Sequence, residues 1–97
     1  MEKLGLGTIG TSWITDSFIQ GALETDKYEL RSVYSRNKEK GQEFAQKYGN
    51  IHVETDLEQL VQNENLDVIY IASPNSLHYE QALLALRAKK HVMVEKP

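Results

Sequence analysis

Two short clusters in this sequence hold residue types that bind anions. The first is Gly10-Thr11-Ser12-Trp13-Ile14, which stands between an apolar run and a segment with helical spacing. Glycine permits a tight reversal there, and the free N–H groups at the start of the following helix would face a diphosphate. A second frame, Gly5-Leu6-Gly7-Thr8-Ile9-Gly10, matches G-x-G-x-x-G letter for letter. It leaves only Met1 to Leu4 as a strand and puts β-branched Thr8 and Ile9 into the turn, so the frame starting at Gly10 is preferred. In that frame Ser12 replaces the glycine that lets backbone approach phosphates, and Thr15 replaces the small residue that packs helix on strand. The second cluster is Tyr34-Ser35-Arg36-Asn37. It lies where a dinucleotide site is expected to carry an acid that accepts from the ribose 2′-OH of NAD. A hydroxyl and a guanidinium there fit a 2′-phosphate instead, and Lys38 adds charge, so the expected cofactor is NADP in preference to NAD.

These residues need elements to hold them. Lys3 to Ile9 reads as a strand and Trp13 to Glu24 as a helix, with Ile14, Phe18 and Ala22 and also Trp13, Ile19 and Leu23 near helical spacing. Tyr28 to Ser35 is a second strand, Lys38 to Tyr48 an amphipathic helix closed by Gly49, and Ile51 to Val53 a short third strand. Thr55-Asp56-Leu57-Glu58 is a capping box that opens a helix through about Gln62. Asp67 to Ala72 is nearly all apolar, as in a parallel strand buried on both faces. Ser76 to Lys89 is a helix with Tyr79, Ala82, Leu83 and Leu86 as its expected apolar face, and His91 to Glu95 is a fifth strand. Alternating strands and helices with short crossovers predict a doubly wound parallel α/β sheet, its five strands in the order 3-2-1-4-5.

Composition narrows the partners. The 97 residues carry 14 acids against 11 bases and no cysteine, with 40% apolar residues, the balance of a soluble globular domain. The pI near 5.6 argues against nucleic acid as a partner. The longest apolar run, Val68 to Ala72, is far short of a membrane span, and Met1-Glu2-Lys3 does not open a signal peptide. Without cysteine there is no thiol nucleophile or Cys-ligated metal, and His52, His78 and His91 show no ligand spacing, so no metal site is expected. A cytoplasmic location is expected.

The last quarter is more specific. Ala72-Ser73-Pro74-Asn75-Ser76-Leu77-His78 and Lys90-His91-Val92-Met93-Val94-Glu95-Lys96-Pro97, together with Gly7-Thr8-Ile9-Gly10-Thr11, resemble the N-terminal, Rossmann-like domain of the glucose–fructose oxidoreductase / inositol dehydrogenase (Gfo/Idh/MocA) family. The resemblance implies that Gly10, Thr11, Ser12, Trp13 and Ile14 wrap the pyrophosphate. It implies that Ser35 and Arg36 hold the adenosine ribose or its phosphate, and that Ser73, Pro74, Asn75 and His78 line the cofactor. Glu95, Lys96 and Pro97 would sit by the nicotinamide, with Lys96 as the catalytic residue that polarises or protonates the substrate oxygen. Hydride transfer leaves an alkoxide or consumes a proton, and a lysine has the chemistry for that.

The implied activity is hydride transfer between NAD(P) and a carbinol or carbonyl of a sugar, inositol or related small molecule. The alternative is a non-catalytic dinucleotide-sensing module, which has no use for a cation beside the nicotinamide. On this resemblance residues 1–97 are the dinucleotide-binding domain, incomplete relative to a full family domain. The substrate domain and its homo-oligomer interface are absent, so the chain alone is expected to bind NADP weakly and to show no turnover.

Overall fold

A computed structural model describes residues 3–10, 13–49, 51–72 and 75–94, the side chains of Trp13 and of residues 75–78 excepted. The elements are β1 (Leu4–Ile9), α1 (Trp13–Glu24), β2 (Tyr28–Tyr34), α2 (Lys38–Gln46), β3 (His52–Glu54), α3 (Leu57–Gln62), β4 (Val68–Ile71), α4 (Asn75–Arg87) and β5 (His91–Val94). They form one five-stranded sheet in the order β3-β2-β1-β4-β5, with every neighbouring pair parallel. The expected topology is the observed one.

Period-two alternation sorts the side chains between two layers. Leu6, Leu30, Val33, Val68 and Tyr70 bury against Ile19 and Ala22 of α1 and Phe44 of α2. Ile9, Ile69 and Ile71 bury on the other face against Leu60 and Val61 of α3 and Ala85 of α4. β4 feeds both layers and is buried at all four positions, which is why it reads as a continuous apolar run. Phe18 stacks on Tyr70 with ring centroids 3.8 Å apart.

The glycines of β1 have a packing cause. A Cβ on Gly5 would lie 1.9 Å from the Asn65 carbonyl oxygen, and one on Gly7 would lie 2.7 Å from a Leu66 methyl. They are small because the chain entering β4 presses on that face, and they belong to the strand. The β1–β2 register shifts between Leu6 and Gly7, so that Arg31 is the extra residue of a bulge. Its guanidinium donates to Asn65 O at 2.6 Å.

Two local expectations change. The α3 cap is Asp56, whose Oδ1 accepts from Glu58 N at 3.0 Å, one residue later than the capping box placed it. The N–H groups of Thr55 and Asp56 go instead to Oε1 of Glu54. In α4 the buried residues are Gln81 and Ala85, and Ala82, as expected, packs against the same cluster with Leu84 and Ala88, whereas Tyr79 is 76% and Leu86 57% exposed. Residues 82–86 are apolar at every position, so helical spacing fits more than one face. Ala85 lets the helix backbone come close to the sheet, and bulky Leu86 is turned outward.

Candidate dinucleotide-binding edge

The carboxyl ends of the strands form a continuous line, because backbone hydrogen bonds run one residue past each strand. Ser35 N donates to Glu54 O at 3.1 Å, Gly10 N to Tyr34 O at 3.4 Å, and Ala72 N to Ile9 O at 2.9 Å. Strand order reverses between β1 and β4, the switch point where ligands of open α/β sheets bind. Gly10 and Ala72 stand on either side of that point.

Gly10 has φ +117°, a conformation L side chains rarely adopt. A Cβ there would lie 3.2 Å from Ala72 O and 3.3 Å from Thr15 Oγ1. The turn therefore starts at Gly10, as the preferred frame requires, and α1 begins three residues later at Trp13. Ile14 is half-buried in its first turn. Thr15 is fully buried, and its hydroxyl has no hydrogen-bond partner among the described residues. Gly10 thus has no room for a side chain, and the positive end of twelve-residue α1 follows it, a placement that fits a diphosphate.

Ser35 and Arg36 leave the same edge one strand over, and they behave differently. The Ser35 hydroxyl is buried, donates to Asn37 O at 2.9 Å and accepts from Asn37 N at 3.3 Å, so it shapes the turn into α2. Arg36 is exposed and makes no ion pair or hydrogen bond among the described residues. Asn37 caps α2 by accepting from Lys40 N at 3.2 Å, which leaves Arg36, Lys38 and Lys40 around one helix start. At the end of β3, burial pushes the Glu54 carboxyl up. The His52 ring 3.2 Å away and the two N–H groups outweigh that and hold it below its usual range.

A tie between helices steadies this edge. Asp16, in the first turn of α1, accepts from Lys47 Nζ at 2.8 Å and from the Tyr48 hydroxyl. Hydrogen bonds from Lys47 and then Tyr48 lower the Asp16 carboxyl, while burial and the Asp16 charge push Tyr48 up to about 12.

Of the other expected site residues, Thr11, Ser12, Ser73, Pro74, Glu95, Lys96 and Pro97 lie outside the described residues. Trp13, Asn75 and His78 are placed by their backbone only, Asn75 and His78 in the first turn of α4. The structure adds Thr15 to the corner, a residue that spacing marked only as a packing position. No group of His, Asp and Glu among the described residues could hold a metal. No described helix is long and apolar enough to cross a membrane. A cavity lined by Glu29, Arg31, His52 and Asn65 opens at the opposite, amino-terminal edge and is remote from this site.

A doubly wound parallel sheet with a left-handed glycine at its switch point defines a dinucleotide-binding domain of the Rossmann type. Residues 4–97 match the oxidoreductase family with NAD-binding Rossmann fold, Gfo/Idh/MocA, and the chain belongs to that family. It is 46% identical over 89 residues to the scyllo-inositol 2-dehydrogenase (NADP(+)) of Bacillus subtilis, covering 92% of this chain and 27% of that protein. It is 38% identical over 91 residues to the 1,5-anhydro-D-fructose reductase of Ensifer adhaerens, covering 94% of this chain and 27% of that protein. Among solved structures, GenD2 from gentamicin A biosynthesis, in complex with NAD, superposes with a TM-score of 0.92 at 25% identity, over 100% of this chain and 28% of that one. The chain thus spans about 27% of the length of the curated relatives it matches.

Proposed function

We propose that this chain binds the dinucleotide in a protein that transfers a hydride between a nicotinamide cofactor and a carbinol or carbonyl of a sugar, inositol or related small molecule, with NADP preferred over NAD. The observation that carries the reading is the Gly10 corner, set at the switch point with Arg36 one strand away on the same edge. The names of relatives support both parts: one is a scyllo-inositol dehydrogenase that uses NADP(+), another an anhydrofructose reductase.

Bound nicotinamide supplies a hydride acceptor or donor; the chain's own residues bind and orient it. The first N–H groups of α1, with Thr11 and Ser12, hold the diphosphate against Gly10. Arg36, unpaired among the described residues, gives the 2′-phosphate a charge-assisted partner and gives the bare ribose of NAD much less. Ser73, Pro74, Asn75 and His78, after β4, line the cofactor's far half. β5 ends on this edge, and Lys96 follows two residues later, between Glu95 and Pro97. As the ammonium it gives the substrate oxygen a proton, and as the free amine it takes one from it.

Titration of the full-length protein with NADPH and NADH, followed by assay with inositols and anhydrosugars, tests this reading. Tighter binding of NADPH and turnover of at least one polyol are expected. Lys96→Met should slow turnover by about a hundredfold or more while NADPH still binds. Failure to bind either nucleotide, or full activity in Lys96→Met, rejects it.

A further inference from the structure

Gly41 lies buried within α2, as its fourth residue. Glycine inside a helix is destabilising relative to alanine, so its use there calls for a cause. The cause is the close seat of α2 on the sheet. A Cβ on Gly41 would lie 2.6 Å from Val53 Cγ1 of β3 and 3.1 Å from Ser35 Cβ, just past β2. The seat carries a short set of hydrogen bonds. Ser35 Oγ donates to Asn37 O at 2.9 Å, Gly41 N donates to the same carbonyl at 3.0 Å, and Asn37 Oδ1 accepts from Lys40 N at 3.2 Å. Ser35 N is fixed in turn to Glu54 O. Arg36 stands between these two anchored neighbours, with its side chain exposed and unpaired among the described residues.

We infer that Gly41 is a positioning residue for cofactor choice, acting through Arg36. By letting α2 rest on Ser35 and Val53, it fixes the backbone on both sides of Arg36 and hence the place from which the guanidinium reaches a ribose 2′-phosphate. A guanidinium fork pairs strongly with phosphate only in a defined geometry. Lifting α2 off its seat shifts that fork and weakens the 2′-phosphate contact. It leaves the diphosphate alone, because that group is assigned to the Gly10 corner on another strand. Ser35 acts in the same way, through Asn37, since its hydroxyl is buried and donates its proton within the turn. This inference rests on the dinucleotide reading above and on its preference for NADP.

The test uses the full-length protein, with the Kd for NADPH and for NADH read from nicotinamide fluorescence. Gly41→Ala puts a methyl group into the seat. It is expected to weaken NADPH by about fivefold, a partial loss of one charge-assisted contact, and to leave NADH unchanged. Val53→Ala removes the atom that the new methyl group meets, so the double variant Gly41→Ala/Val53→Ala should regain most of the NADPH affinity. Ser35→Ala adds no bulk and loosens the same turn, and it should weaken NADPH by about threefold with NADH again unchanged. In an Arg36→Gln background neither Gly41→Ala nor Ser35→Ala should cost anything further, because the group they position is gone.

An unchanged NADPH affinity in both Gly41→Ala and Ser35→Ala overturns the inference and spares the dinucleotide reading. So does an equal loss for NADPH and NADH, which is the mark of a merely structural role, or an undiminished loss in the Arg36→Gln background. An unsubstituted protein that binds neither nucleotide overturns both.

Discussion

Arg36 and Tyr48 show how differently charge is used on this domain. Arg36 is exposed and lacks an acidic partner among the described residues, so its guanidinium is available to a ligand. Arg36→Gln should weaken NADPH binding by about 2 kcal/mol, the worth of one charge-assisted hydrogen bond, and leave NADH binding unchanged. The ratio of the two dissociation constants is the measurement. Tyr48 is instead committed to Asp16. Its folded pKa is raised from 10.0 to about 12, so the folded state holds the phenolic proton more tightly than the unfolded state does. The stability this contributes is full below pH 10 and is lost as pH rises toward 12. Asp16 works in the opposite direction: its lowered pKa contributes stability above the usual carboxylate range, which is lost in acid. Tyr48→Phe should therefore flatten the alkaline fall in thermal midpoint, and Asp16→Asn the acid one. Thermal melts across pH check both.

Elements are set by capping and by short links at the two edges of the sheet. Asp56 holds the first turn of α3 through Glu58 N, and Glu54 takes the two preceding N–H groups. Asp56→Ala should cost about 1 kcal/mol, the usual value of an N-cap, whereas Thr55→Ala should cost little because the Thr55 side chain is not the cap. At the amino-terminal edge, Lys90 Nζ donates to Asn63 O at 2.7 Å and Leu66 O at 2.6 Å, tying the start of β5 to the entry of β4. Lys90→Met leaves two carbonyls without that donor and should cost about 1–3 kcal/mol; urea denaturation measures each loss. Both details escaped the sequence because they depend on which acid or lysine reaches a given backbone group. Thr55 and Asp56 are adjacent and both are good caps, and only the path of the chain leaving β3 chooses between them.

At the scale of the molecule, among the described residues β5 pairs only with β4, and α4 turns Tyr79 and Leu86 outward. In the 97-residue chain, a β5 edge unpaired among the described residues and exposed apolar side chains both favour association. Light scattering of the 97-residue chain should show mass rising with concentration, and Leu86→Lys should reduce that rise. Strand order and the Gly10 frame were readable in advance, since short crossovers between apolar runs admit few topologies and a glycine at a strand-to-helix junction admits few conformations. Which face of α4 meets the sheet was not, because five successive apolar residues satisfy helical spacing in several ways and only backbone approach at Ala85 selects one. The glycines at 5 and 7 imitated a binding motif until the Asn65 carbonyl and Leu66 methyl were seen to occupy their Cβ positions. Thr15 likewise has an ordinary place in a helix pattern. Its unpartnered hydroxyl emerges only when Gly10 and Ala72, 62 positions apart, are brought together by the β1–β4 pairing. Local spacing records what each segment can form, and contacts between distant segments decide what its side chains meet.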